Sequence, residues 1–201
     1  MSTAWDLLIV TKDDAAGTPV DADDLSLALA GAELLDLVDS PAAALDGDRI
    51  VPGPPVTTSD SLLDQAAAAL VRQEPYETVD QWLWRRGEKL SSAYTEALET
   101  QGYAVRPHHR WLPGRSDRAV LVDSPARERA AERWASGEPV LSVLAAAVGV
   151  PGGEAGRPDS VADEDGATVL AAVGNAVTEL EAERQRRRIE NDAFDNIWRA
   201  P

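Results

Sequence analysis

Residues 58–64 are Thr58-Ser59-Asp60-Ser61-Leu62-Leu63-Asp64, and residues 77–83 are Glu77-Thr78-Val79-Asp80-Gln81-Trp82-Leu83. In each stretch a hydroxyl residue precedes an acid or an amide by three positions, as Ser61 precedes Asp64 and Thr78 precedes Gln81. This spacing is typical of a helix start, where the hydroxyl accepts a bond from a backbone N–H and the later side chain returns one. We therefore expect two helices, one beginning at Ser61 and the other at Thr78.

The chain on either side of these two starts also has a mainly helical pattern. Leu7 to Val10 is a short apolar run that fits either a strand or a helix start. Apolar residues at helical spacing predict further helices. The predicted helices cover residues 23–38, 61–72, 78–84, 89–100, 125–137 and 139–148, followed by a last one whose apolar stripe contains Val169, Val173, Val177 and Leu180.

Two short β-hairpins are predicted between the helices. Residues 45–51 place an Asp-Gly turn before the β-branched pair Ile50-Val51. Gly102 is placed to end the helix 89–100 in the left-handed conformation. Beyond it, residues 103–105 and 119–122 are predicted strands on either side of a long basic loop. We expect a mainly α fold, a single helical domain with one or two small β-hairpins.

The domain is expected to span residues 1–183, because a chain of 201 residues suits a single hydrophobic core. Residues 151–166 lack periodicity and are rich in Gly, Pro, Asp and Glu, so they predict a mobile loop within that domain. Residues 184–201 are mostly polar and predict a C-terminal tail.

Composition limits the classes of function. The net charge is −16, and residues 1–70 contain 13 acidic but only two basic side chains. This acidity argues against nucleic acid as a partner, because binding by counterion release needs a basic surface. The chain has no cysteine, signal-peptide pattern or apolar run long enough to cross a membrane, so we expect a cytoplasmic protein. Its many alanines and arginines favour a GC-rich bacterial genome.

Several short motifs resemble metal-binding or phosphate-binding sites, but their residues do not stand at the positions that such sites require. His108 and His109 are adjacent and cannot chelate one metal as an i, i+4 helical pair could. Residues 163–166 resemble part of a calcium loop, but that register puts Val161 and Ala172 at ligand positions. The glycines of residues 149–153 are not followed by the Lys-Ser/Thr of a phosphate loop. We predict no catalytic residue, no metal site and no cofactor.

The middle of the chain is its only basic part, with ten basic and seven acidic side chains in residues 85–133. Arginine binds phosphate through two parallel hydrogen bonds, and tryptophan favours membrane interfaces. We therefore predict a site for an anionic lipid headgroup. The candidate residues are Arg85, Arg86, Lys89, Arg110, Trp111, Leu112 and Arg115.

A structural role is the alternative explanation for this basic and aromatic region. Under it, Trp82 and Trp134 belong to the core, and the arginines of residues 127–133 form i, i+4 pairs with Glu128 and Glu132. The pair Trp111-Leu112 is harder to explain in this way, because it lies in a hairpin loop with no evident core to enter.

Several segments, taken in order, resemble one known family. They are Leu7-Leu8-Ile9, residues 29–37, Asp60 to Asp64, Thr78 to Leu83, Leu98 to Gly102, and a hairpin that ends at Val122-Asp123 before an arginine-rich helix. Over roughly residues 5–150 their order and spacing are similar to the Golgi phosphoprotein 3 family, including its bacterial members. The resemblance implies a mainly helical fold with small hairpins and no catalytic activity.

The resemblance also implies a function. Eukaryotic members bind phosphatidylinositol 4-phosphate on Golgi membranes and act as adaptors for membrane enzymes. Their headgroup is held by a tryptophan and three arginines, and the corresponding positions here are Asp21, Ala30, Glu88 and Ser91. None of these keeps the residue type. The apolar hairpin that contacts the membrane in relatives corresponds to Trp111 and Leu112.

The leading hypothesis is a non-enzymatic adaptor, peripheral on the inner face of the membrane, whose hairpin loop from Arg110 to Arg115 meets anionic lipid. A winged-helix DNA-binding regulator is the second, since three helices at residues 61–100 precede a basic hairpin. In that case residues 89–100 would be the recognition helix, although they contain one Lys and two Glu. A protein-interaction module that uses the acidic N-terminal half is the third. The sequence is compatible with a homo-oligomer.

Overall fold

Eight helices and two small antiparallel hairpins form the part of the chain that the computed structural model describes, which is residues 2–13, 19–105, 119–151 and 163–199, with side chains to residue 191. The mainly α fold is thereby confirmed. The helices are α1 (Thr3–Asp13), α2 (Ala22–Val38), α3 (Ser61–Ala69), α4 (Val79–Arg86), α5 (Leu90–Thr100), α6 (Pro125–Ala135), α7 (Pro139–Ala147) and α8 (Glu164–Arg199). The strands are β1 (Ala43–Asp46), β2 (Arg49–Pro52), β3 (Ala104–Val105) and β4 (Val120–Leu121).

Helix α2 lies at the centre of the fold. Its sequence is apolar around nearly the whole circumference, as expected for a helix enclosed by others. It packs against α1, α3, α4, α5, α7 and α8. Leu29 and Leu34, for example, have no exposed surface. The apolar run from Leu7 to Val10, which fitted a strand or a helix, belongs to α1 and is buried against α2.

A glycine sets the distance between α2 and α8. A Cβ added at Gly31 would lie 2.3 Å from Cγ2 of Val173, which is far inside van der Waals contact. Valine has little rotamer freedom in a helix, so it cannot easily turn away. Gly31 therefore permits the close crossing of α2 and α8.

The two predicted helix starts differ in outcome. Thr78 and Gln81 form the expected capping box, because each side chain accepts a hydrogen bond from the other's backbone N–H. The prediction that Ser61 caps its helix is wrong. Asp60 is the N-cap, and its carboxylate accepts from the N–H groups of Leu62 and Leu63. An aspartate in extended backbone one residue earlier reaches these N–H groups, so the Ser61 hydroxyl is not needed.

Both hairpins form. The β1–β2 ladder pairs Asp46 with Arg49 across a turn in which Gly47 has a φ of 63°, and Gly102 ends α5 with a φ of 76° as predicted. The β3–β4 ladder pairs Ala104 with Leu121 and Val105 with Val120. The loop that joins β3 to β4, residues 106–118, lies outside the described residues.

The C-terminal part differs most from the prediction. Helix α8 begins at Glu164, so the last residues of the predicted loop 151–166 are helical; residues 152–162 lie outside the described part of the chain. Asp163 accounts for the early start, because its carboxylate accepts from the N–H of Gly166. The helix then continues to Arg199 through the region predicted as a polar tail. Glu, Gln and Arg are good helix formers, so the polar composition from which a tail was predicted is equally compatible with a helix.

The arginines of α6 hold α1 in place. Arg133 binds the buried Asp6, with Nη1 3.0 Å from Oδ2, and Arg127 binds Asp13. The predicted i, i+4 pairs with Glu128 and Glu132 are wrong, because no arginine of α6 lies four residues from either glutamate. The i, i+4 partner of Arg127 is Asp123. The Asp36 carboxylate of α2 accepts from both the N–H and the hydroxyl of Thr3, and burial raises the pKa of Asp36 to about 6. No helix in the described residues is long and apolar enough to cross a membrane.

Gly31→Ala is expected to lower the free energy of unfolding by about 1–3 kcal/mol, since the added methyl group overlaps Val173. Gly174→Ala is the matched control. It places the same change on α8, where nothing lies within 4 Å of the new Cβ, and should be neutral or stabilising by about 0.5–1 kcal/mol. Urea denaturation of both variants measures the change in the free energy of unfolding. Equal effects at the two positions would contradict the close crossing.

Candidate functional site

Trp82 positions the α4–α5 region that contains three of the predicted lipid-binding residues. Its side chain is fully buried, and its Nε1 donates to the carbonyl oxygen of Ala30 at 2.9 Å. This confirms a core role for Trp82, whereas Trp134 is only partly buried. The bond fixes α4 against α2, so the last turn of α4, with Arg85 and Arg86, lies beside buried acids.

Arg86 forms a bidentate pair with Glu33 in the interior. Its Nε and Nη2 lie 2.7 Å and 2.8 Å from the two carboxylate oxygens, and the Tyr94 hydroxyl donates to Oε1 of Glu33 at 3.0 Å. Glu33 has no exposed surface. Burial raises the pKa of Glu33, while the hydrogen bonds from Arg86 and Tyr94 oppose the rise. Since its guanidinium is committed to this pair, we do not retain Arg86 in a lipid site.

Arg85 is also paired, though nearer the surface. It binds Glu77 through Nη2 at 2.7 Å and Nε at 3.1 Å, and Nη2 also donates to the carbonyl of Ala69. Its guanidinium carbon lies 5.3 Å from the centre of the Trp82 ring, which adds a cation–π contact. Arg85 remains 46% exposed, but an incoming phosphate would compete with a carboxylate that is already bound.

Lys89 is the exposed member of the three. It adopts a left-handed conformation with a φ of 58° just before α5. Its side chain lines a shallow cleft of about 340 Å³ together with Trp84, Asp23 and Glu88. The cleft therefore presents carboxylates as well as the ammonium group.

The positions that correspond to the relatives' headgroup-binding residues lie in or next to α2 and α5. Ala30 is fully buried. Ser91 is buried and bonds Ser26 and the Ala22 carbonyl. Glu88 lines the cleft, and Asp21 caps α2. None of these groups is a cation that could bind a phosphate.

Arg184 of α8 supplies the positive charge at this end of α2. It binds Asp21 and Asp24, the latter at 2.7 Å, with Asp23 at 3.5 Å. Partial burial disfavours its charge, but the hydrogen bond and attraction from Asp24, with help from Asp21 and Asp23, raise the pKa of Arg184 overall. The cation is thus neutralised within the chain.

The β3–β4 ribbon has a different character. One face packs inward through Ala104 and Leu121. On the other, Val105 and its cross-strand partner Val120 are each 55% exposed, and Val122 is 36% exposed. Residues two apart on a strand share a face, so these three valines form one apolar surface, here called the ribbon valines. Arg110, Trp111, Leu112 and Arg115 belong to the adjoining loop, which lies outside the described residues.

A comparison with protein-family models matches residues 4–194 to Golgi phosphoprotein 3 (GPP34). The chain belongs to the Golgi phosphoprotein 3 family. No curated protein and no solved structure matches it. The match confirms the resemblance inferred from the helix starts and extends it from residue 150 into α8.

Membership of the Golgi phosphoprotein 3 family supports an adaptor of that type. Within the described side chains, no group of three His, Cys, Asp or Glu residues is placed to hold a metal ion. The winged-helix alternative gains no support, because α5 contains no basic residue and packs its apolar face against α2.

Sequence reasoning missed the ribbon valines and the partners of Arg85 and Arg86. A signal for the valines was present, since Tyr103-Ala104-Val105 and Val120-Leu121-Val122 place valine at alternating positions. No local signal pointed to the pair between Glu33 and Arg86, which are 53 residues apart.

Arg86→Met is expected to lower the free energy of unfolding by about 3–5 kcal/mol, because Glu33 would remain buried without its counter-charge. The loss should be smaller at pH 5 than at pH 8, since a carboxyl with a raised pKa is neutralised more readily at low pH. Urea denaturation at both pH values measures the loss in the free energy of unfolding. Arg127→Met, which removes the solvent-accessible pairs with Asp13 and Asp123, should cost about 1 kcal/mol or less. Similar losses in the two variants would contradict the structural role of Arg86.

Proposed function

We propose that this protein is a non-enzymatic peripheral membrane adaptor that contacts anionic lipid through its β3–β4 hairpin at the inner face of the membrane. The observation that carries the proposal is the exposed apolar face formed by Val105, Val120 and Val122. Exposed apolar surface in a hairpin is costly in water and is a common sign of a binding site. The family's adaptor character is consistent with it.

The loop that joins the two strands supplies complementary chemistry. Its sequence contains the pair Trp111-Leu112 between Arg110 and Arg115. Tryptophan favours the headgroup region of a bilayer, and arginine binds lipid phosphate. Valines on the strands and an aromatic residue flanked by cations in the loop are the combination expected of an interfacial contact.

The proposed ligand is anionic phospholipid in general, with no selectivity for phosphatidylinositol 4-phosphate. The positions that correspond to the relatives' headgroup-binding residues are acidic at Asp21 and Glu88 and uncharged at Ala30 and Ser91. Arg184, which lies nearby, is neutralised by Asp21 and Asp24. Arg86 is bound to Glu33. Arg85 and Lys89 are the members of the predicted α4–α5 set that still have exposed cationic groups, and they would at most assist the hairpin.

The adaptor role implies a protein partner as well. The acidic N-terminal half suits a partner segment that is basic, since opposite charges favour association. Nucleic acid is not proposed as a partner, because a chain with a net charge of −16 lacks the basic surface that binding to its phosphates needs.

Replacing two ribbon valines and the loop tryptophan, in the variant Val105→Thr/Val120→Thr/Trp111→Ala, is expected to weaken binding to vesicles of phosphatidylcholine and phosphatidylglycerol by about tenfold or more. Threonine keeps the branched shape that suits a strand while removing apolar surface. Co-sedimentation of the full chain at low salt measures the change. Replacing part of the phosphatidylglycerol by phosphatidylinositol 4-phosphate at equal charge should not increase binding.

Val71→Thr is the control, because Val71 is an exposed valine outside the ribbon. It should leave vesicle binding unchanged. If the wild-type chain fails to bind anionic vesicles at low salt, or if the ribbon variant binds as well as wild type, the proposed function is wrong.

A further inference from the structure

The end of α8 separates from the rest of the domain after Arg184. Up to Leu180 the helix packs on the core, and Arg184 makes its last ion pairs, with Asp21 and Asp24. Every residue from 185 to 191 is exposed. We call residues 185–191 the exposed α8 segment.

Three consecutive arginines distinguish this segment from the other basic parts of the chain. Arg186, Arg187 and Arg188 have no acceptor among the described side chains. Most other described arginines have one, as Arg72 has the carbonyl of Gly53 and Arg133 has Asp6. The chain has a net charge of −16, whereas the exposed α8 segment is positively charged because of these three arginines.

An apolar residue follows the three arginines directly. Ile189 is 68% exposed, more than any other large apolar side chain in the described part of the chain. The sequence of the next helical turns contains Phe194, Ile197 and Trp198. Arginines next to an exposed branched apolar residue on a helix are typical of helices that lie in a membrane interface.

We propose that the exposed α8 segment is a second membrane contact, in which Arg186, Arg187 and Arg188 bind the phosphates of anionic phospholipids beside Ile189. The inference rests on the proposed function for the membrane as partner, but it uses residues that neither the family resemblance nor the hairpin supplies. Charge complementarity selects this partner. The chain as a whole has a net charge of −16, so an anionic surface is attracted to it only where cations are exposed and unpaired.

The apolar residues favour a membrane over nucleic acid. A helix that binds nucleic acid places cations against phosphates but gains little from an exposed isoleucine. In a bilayer the isoleucine can enter the boundary between headgroups and acyl chains, while arginine side chains extend to the phosphates.

The test uses the full chain with the variant Arg186→Gln/Arg187→Gln/Arg188→Gln and vesicles of phosphatidylcholine with phosphatidylglycerol. Binding should weaken by roughly 10- to 100-fold, and Glu190→Gln should strengthen it. Arg129→Gln is the matched control, because Arg129 is an exposed arginine on α6, and it should change binding by less than about twofold. Circular dichroism confirms that each variant is folded.

The outcomes separate this inference from the proposed function. If the ribbon variant weakens binding but the triple arginine variant equals wild type, the hairpin proposal stands and the second contact is refuted. Weaker binding in the triple variant, with the Arg129 control unchanged, supports the second contact. Salt-sensitive retention of duplex DNA that depends on the three arginines, without vesicle binding, would refute it and identify nucleic acid as the partner.

Discussion

The buried ion pair between Glu33 and Arg86 is the constraint on which the rest of the arrangement depends. It joins α2 to α4, and the Tyr94 hydroxyl adds α5 through its hydrogen bond to Glu33. A buried carboxylate is tolerated only when it is paired and hydrogen-bonded, so these three helices must dock in one relative position. The bond from Trp82 to the Ala30 carbonyl, one turn away along α2, supports the same position.

This constraint decides which cations are available for function. Arginines that stabilise the interior cannot also bind a lipid phosphate without exposing a buried carboxylate. Arg86 and Arg133 serve the interior, and Arg184 neutralises the acids at the start of α2. We propose that a partner meets the ribbon valines with their adjoining loop and the exposed α8 segment. The family scaffold is thus retained, whereas the membrane contacts that we propose do not use the positions that hold the headgroup in the eukaryotic relatives.

Local patterns in the sequence were enough for much of the fold. The Thr78–Gln81 capping box, the Asp46–Arg49 turn and most helices follow from spacing within a few residues. The capping of α3 by Asp60 was missed because two polar residues compete for one position. Helix α8 was cut short because its polar second half has no apolar stripe to reveal it. The role of Arg86 could not be predicted, since its partner lies on another helix.

Hydrogen–deuterium exchange of the full chain, with and without vesicles of phosphatidylcholine and phosphatidylglycerol, tests the central claim that the hairpin and not the α4–α5 region meets the membrane. The account predicts slower exchange on vesicle binding in the peptide covering residues 103–123, and no change in residues 79–91. Slower exchange in residues 79–91 with an unchanged hairpin would contradict it, because the arginines of α4 would then be the contact.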